Sequence, residues 1–217
     1  MKKVVKISVM TATVAVAMMF FGGCKKTPST PSLVSGGFNG KINATVEKES
    51  QDLTSIKWVV PWNEPGVECE GSSCRMLGKQ MGEPVSFSNY KFTIDLPKTV
   101  PSSIDMYSVK YVFETGFEVT GTLKYSDPKV MLAAVDFLAY TGEFFVGSFH
   151  YRTSDKKTIC IFVYAESDVT VTGGNNISVS FKEGWNRIYL TEDGKNNKFS
   201  TKEPDDDMKW YFAELEL

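Results

Sequence analysis

Two runs and the break between them decide the fold: Glu143-Phe144-Phe145-Val146-Gly147-Ser148-Phe149-His150-Tyr151-Arg152, then Thr153-Ser154-Asp155, then Lys156-Lys157-Thr158-Ile159-Cys160-Ile161-Phe162-Val163-Tyr164-Ala165-Glu166. Both runs are dense in β-branched and aromatic residues, which suit a pleated surface. The short polar break predicts a tight hairpin connection. The second run is apolar at nearly every position from Ile159 to Ala165, as in a central strand covered on both faces. Cys160 lies inside it and reads as a small core hydrophobe rather than a nucleophile.

Towards the C-terminus the punctuation continues. Val169-Thr170-Val171-Thr172 is a short strand, turned by Gly173-Gly174-Asn175-Asn176 into 177–181. Lys182-Glu183-Gly184 turns the chain again into 185–190. The polar stretch 191–207 is expected to be a mobile loop, and 209–217 a last strand with Trp210, Phe212 and Leu215 in the core. Towards the N-terminus, 38–46 alternates with Ile42, Ala44 and Val46 on one face. Stretch 55–62 does so with Ile56, Trp58 and Val60, and 90–96 with Tyr90, Phe92, Ile94 and Leu96. Stretches 107–114 and 117–125 are expected to form a hairpin across Thr115-Gly116. Stretch 130–140 has helix formers at Leu132, Ala133 and Ala134, but its setting among strands favours β. Short strands at this spacing predict an all-β protein, a two-sheet antiparallel β-sandwich, with a lipocalin-like β-barrel as the alternative. The expected organisation is a signal at 1–23, a tether at 24–37 and one sandwich domain over 38–217.

The first residues carry a different message. Lys2, Lys3 and Lys6 precede an apolar run over 7–21, then Gly22 and Gly23, then Cys24. A basic start, an apolar centre and small residues before a cleavage point make a secretory signal. A membrane-spanning helix needs about 20 apolar residues, and this run is slightly short for one. Phe21-Gly22-Gly23-Cys24 resembles the lipobox of bacterial lipoproteins. That resemblance implies a diacylated Cys24 thiol, cleavage before it and, usually, an acylated new amine. Several acyl chains hold a protein at a membrane essentially permanently. The Pro/Ser/Thr-rich residues after Cys24 are then expected to act as a tether.

Composition excludes more than it assigns. The formal charge is −2 at pH 7, and loss of the signal removes three lysines and no acid. A chain this acidic, without basic clusters, is no candidate for nucleic acid. The single histidine, His150, rules out a metal site built on several imidazoles, and no Gly-x-Ser-x-Gly context supports a triad around it. His150 in a strand reads as structural. Cys69 and Cys74 lie in a Gly/Ser-rich loop of an exported chain and are expected to close a small disulfide ring. A zinc site there would lack both a CxxC pair and a histidine partner. Glu203-Pro204-Asp205-Asp206-Asp207 gathers four carboxylates that could attract calcium, but without EF-hand spacing. No phosphate loop or carboxylate dyad is recognisable. Asn43-Ala44-Thr45 and Asn176-Ile177-Ser178 match the N-glycosylation triplet, which has no presumption of use in a bacterial lipoprotein.

Trp62 sits in Pro61-Trp62-Asn63-Glu64-Pro65-Gly66, with an amide and a carboxylate beside the ring. Trp62, Asn63 and Glu64 are therefore the candidate ligand-binding residues, for example by stacking on a sugar; Trp58 reads as core and Trp185 as core or hinge. The pieces Phe92-Thr93-Ile94-Asp95-Leu96-Pro97, Gly147-Ser148-Phe149, Val163-Tyr164-Ala165, Val171-Thr172-Gly173 and Gly184-Trp185-Asn186 together resemble uncharacterised lipoproteins of Bacteroidales-type bacteria. The resemblance implies a β-sandwich at the outer membrane and no activity. Surface display in that group often follows an acidic run after the lipidated Cys. Lys25 and Lys26 stand there instead, which favours the periplasmic face. The expectation is a non-enzymatic envelope lipoprotein without a cofactor. Its partner would be the membrane through Cys24, together with a ligand, a glycan (as a carbohydrate-binding accessory protein) or an envelope protein (as an adhesion or assembly subunit).

Overall fold

The computed structural model describes residues 38–47, 52–60, 78–117, 119, 121–174, 177–193, 196–205 and 207–215. The signal 1–23, Cys24, the tether, the Trp62-Asn63-Glu64 loop and the Cys69–Cys74 ring lie outside the described residues.

The expected central strand is central. In β10 (Thr158–Ala165), Cys160, Phe162 and Tyr164 point into one core, while Val163 and Ala165 point into another. One edge of β10 pairs along its whole length with β13 (Gly184–Asp193), from Thr158↔Thr191 to Ala165↔Gly184. The other edge pairs with β8 (Met131–Thr141), from Phe162↔Val135 to Ala165↔Leu132. β8 is strand throughout, so pairing on both sides overrides the local helix preference of its alanines. Its far edge holds β2 (Ser55–Val60) over Ser55↔Tyr140 to Val59↔Asp136, with β6 (Tyr107–Ser108) at its beginning.

The hairpin between β9 (Phe144–Arg152) and β10 closes only at its base, Arg152↔Ile159. Its turn is held by Thr153, whose N–H donates to the Thr158 carbonyl at 2.9 Å and whose hydroxyl accepts from the Thr158 N–H at 3.1 Å. Beyond the base β9 forks away from β10 and pairs with the second half of β8. The register slips between Ala139 and Tyr140, leaving Val146 as an extra residue, and such a bulge bends a strand. The other edge of β9 takes β15 (Lys209–Glu214), from Lys209↔Arg152 to Glu214↔Gly147. Short strands β3 (Lys79–Gln80) and β4 (Val85–Ser86) border β2, and β14 (Asn196–Ser200) borders β13. The result is a ten-stranded sheet.

Two smaller sheets cover it. β1 (Lys41–Thr45) and β5 (Lys91–Asp95) pair antiparallel and turn alternate residues inward: Ile42 and Ala44, Phe92 and Ile94. They pack over an aromatic centre around Trp210, whose ring lies 5.1 Å from Phe92, 5.3 Å from Phe137 and 5.9 Å from Phe162. The first two contacts are edge-to-face, a geometry that adds roughly 0.5–1.5 kcal/mol per pair beyond burial. On the other core, β11 (Val169–Gly173) pairs with β7 (Leu123–Tyr125) and β12 (Ile177–Phe181). Val169, Val171, Val179 and Phe181 meet Val163, Ile188 and Leu190 there. The protein is thus all-β, with antiparallel sheets packed as a sandwich and not closed into a barrel. The lipocalin-like alternative is not adopted.

Two expectations are corrected. The hairpin over 107–125 does not form. After β6 the chain makes one helical turn, α1 (Val109–Tyr111), continued by a π-helical turn over Val112–Gly116. The Ser108 hydroxyl accepts from the Tyr111 N–H at 3.2 Å and caps it. Val109 and Phe113 are four residues apart, so a helix buries both on one side, and each is fully buried. Their even spacing had fitted a strand equally well. β7 pairs with β11 instead. The stretch 191–207 is also not one long loop: β14 pairs with β13, including Leu190↔Phe199, and Phe199 is buried against Phe113 and Phe117.

Candidate functional site

Ala134 is a gap in the face it belongs to. Its neighbours on that face are larger: Leu132 on the same strand, Val163 directly across on β10 and Ile188 one strand further. The segment Tyr107, Tyr111, Val112, Gly116 and Phe117 spans the gap from above. Gly116 contributes no side chain, and the Phe117 N–H reaches back five residues to the Val112 carbonyl at 2.8 Å, which makes this turn wider than an α-turn. Tyr107 and Tyr111 stack their rings at 5.3 Å. Val60, at the end of β2, closes one side.

Between floor and roof lies a half-open cavity of about 240 Å³. Close-packed interiors hold few voids larger than a water molecule. An apolar cavity of ~150 Å³ stays dry and binds benzene. Among the described residues of this lining, Tyr107 and Tyr111 bring the only side-chain polar atoms. The described lining can hold an apolar group, and none of its residues brings an acid, a base or a metal-binding carboxylate to it.

A polar node lies at the rim of the other core, where Arg187 and Glu203 remain partly exposed. Glu203 accepts from the Tyr151 hydroxyl at 2.6 Å on Oε1, and from the Tyr189 hydroxyl at 2.9 Å and Arg187 Nη1 at 3.0 Å on Oε2. Burial pushes both phenols well above their ordinary range, and Glu203 adds to this. Burial likewise raises the neighbouring Cys160 thiol, which stays protonated and unreactive. Glu203 thereby ties the start of the acidic run to β9 and β13. Asp207 is drawn to Lys209 Nζ at 3.0 Å. Glu203 and Asp207 are thus committed in different directions, Asp206 lies outside the described residues, and no group of three metal-ligating side chains gathers among the described residues.

His150 Nε2 and Ser148 Oγ are 2.7 Å apart. They sit two residues apart on β9, and Ser148 is only 5% exposed, so its hydroxyl is not presented to a substrate. Trp58, Trp185 and Trp210 are buried, and the first two donate to the carbonyls of Glu83 at 3.2 Å and Pro97 at 2.7 Å. The three therefore fill the core, as expected for Trp58 and Trp210 and as one of the two readings of Trp185. The candidates Trp62, Asn63, Glu64, Cys69, Cys74 and Cys24 lie outside the described residues.

The sequence reading missed the cavity. Its signals were a small residue in the floor of a large-residue strand, Ala134, and Gly116, which had been read as a hairpin turn. No family model, no curated protein and no solved structure matches this chain.

Proposed function

We propose that this chain is a lipid-anchored protein of the bacterial cell envelope whose β-sandwich binds a ligand without transforming it. The observation that carries the binding part is the half-open apolar cavity between the 107–117 segment and the large sheet. The floor consists of three hydrogen-bonded strands, so it is held in place before any ligand arrives, which lowers the cost of binding. The anchoring part rests on the residues before the sandwich: three lysines, an apolar run, and Gly22-Gly23-Cys24. The anchor would sit at the outer membrane with the sandwich in the periplasm, since Lys25 and Lys26 follow the acylated position; surface display is the other arrangement.

The test of this reading is the Cys24→Ser variant of the full chain. It is expected to lose incorporation of labelled palmitate and to stay uncut at the signal. The wild type is expected to incorporate label and to run at the smaller, processed size. A wild-type protein without label, or a Cys24→Ser protein processed and labelled like the wild type, contradicts the anchor.

A further inference from the structure

We infer that the cavity under the 107–117 segment is a binding site for a single acyl chain. The inference rests on the proposed envelope role and names the ligand class of that site. Its first support is the chemistry of the walls. Leu132, Ala134, Val163 and Ile188 below, and Val112 and Phe117 above, present only carbon. Among the described residues no charged side chain lines the space. A sugar, a nucleotide or a peptide carboxylate would leave its polar groups unpaired there, and a buried polar group without a partner is costly. A hydrocarbon chain asks for nothing else.

The second support is shape. The cavity of about 240 Å³ lies between a sheet face and a helical segment crossing it. Since ~150 Å³ suffices for benzene, this space accepts the last part of an acyl chain and not a whole lipid. It is half open, so a polar head group can stay outside while the chain end is buried. The stacked tyrosines supply the only hydroxyls among the described residues of the lining.

The third support is where the chain is held. Only residues 25–37 separate Cys24 from the first described residue, Phe38. At ~3.5 Å per residue those positions reach roughly 45 Å when fully extended, and less as a coil. A sandwich tethered that closely works beside a bilayer, where acyl chains are the most abundant apolar groups. A free fatty acid and the acyl chain of a phospholipid share this chemistry.

The experiment is photolabelling of the full-length protein in membrane vesicles from cells that express it. One arm uses dodecanoic acid carrying a photoreactive diazirine in its chain. The other uses phosphatidylethanolamine with the same diazirine chain. Peptide mapping is expected to place adducts on Tyr107, Tyr111, Val112 or Phe117. A tenfold excess of unlabelled dodecanoate should reduce them at least fivefold in the fatty-acid arm. Gly116→Phe, which fills the roof where a Cβ has open space, should reduce them at least fivefold; Ala134→Leu, which fills the floor, is the second variant. The arm with the stronger labelling identifies the source of the chain. Wild-type adducts that do not compete, or that fall mainly on the exposed Phe144 at the β8–β9 tip, overturn the inference. So do undiminished adducts in both filled variants when they resist proteolysis like the wild type. The same maps report acylation of the Cys24 peptide. An acylated Cys24 with an unlabelled cavity removes this inference and leaves the anchor standing, whereas a bare Cys24 with a labelled cavity does the reverse.

Discussion

A methyl group on Gly147 would run into the carbonyl of Ala213 and the ring of Phe212. Neither can withdraw, because Ala213 pairs with Ser148 and Phe212 with Phe149. Gly147→Ala is therefore expected to cost about 1–3 kcal/mol through overpacking. Gly116→Ala, whose Cβ would meet nothing within 4 Å, should leave the melting temperature unchanged or slightly raised. Thermal melts of the two, side by side, check this; equal effects would mean that the last strand does not approach β9 as described. Burial ranks a second pair. Trp210→Ala removes the hub of the aromatic core and should cost about 3–5 kcal/mol in denaturant titrations, while Ile161→Ala, on a half-buried side chain, should cost clearly less. At this scale the sequence was informative for most large side chains: Cys160, Trp58, Trp185, Trp210 and Phe212 are buried as read, whereas Leu215, beyond the end of β15, is only half-buried and Tyr90 is exposed. It was silent on Ala134, because a missing side chain matters only through neighbours on other strands.

Elements were legible where alternation had one meaning. β1 and β5 bury every second residue, and the turns at Gly173 and Gly184 fall where their glycines indicated, both at positive φ. They were illegible where two periods coincide, as at Val109 and Phe113, or where a strand shows the core only one large residue, as Phe199 does in β14. The opened β9–β10 hairpin was hidden for another reason: it depends on β8 and β15 competing for the same edges. The turn from β12 into β13 offers a pH test. Asp168 accepts from Lys182 Nζ at 2.5 Å and from the Glu183 N–H at 2.9 Å, and these bonds, Lys182 first, hold its carboxyl below the usual aspartate range. A depressed folded-state pKa contributes stability above the unfolded value near 3.9, lost as the pH falls through the folded value. Asp168→Asn should thus lower the melting temperature slightly at pH 7, with the gap closing in acid. A gap that persists unchanged at pH 2 would assign the effect to something other than the charge.

Across the whole molecule, the phenols report on packing at the alkaline end. Burial raises Tyr140, Tyr151 and Tyr189, and raises Tyr125 to about 12 with help from Glu114. Unfolded tyrosines ionise near 10, so the folded chain holds these protons more tightly. That stability is complete below pH ~10 and is lost as the pH rises through the folded values, so the denaturation midpoint should fall steeply above pH ~10. A tyrosinate titration with every phenol ionising near 10 in the folded state would contradict it. The all-β class and the sandwich were legible because strand periodicity and turn chemistry are local. Coverage of the large sheet on both faces was hinted at only by the continuous apolar run of β10. The cavity was not legible, since it exists only once a helical segment is laid across three strands from distant parts of the chain. That placement is the central claim, and the Cα chemical shifts over 107–125 test it most directly. Helical shifts are expected over 109–116 and extended shifts at 107–108 and 123–125. Extended shifts throughout 107–114 and 117–125, the signature of a hairpin, would remove the roof and with it the site.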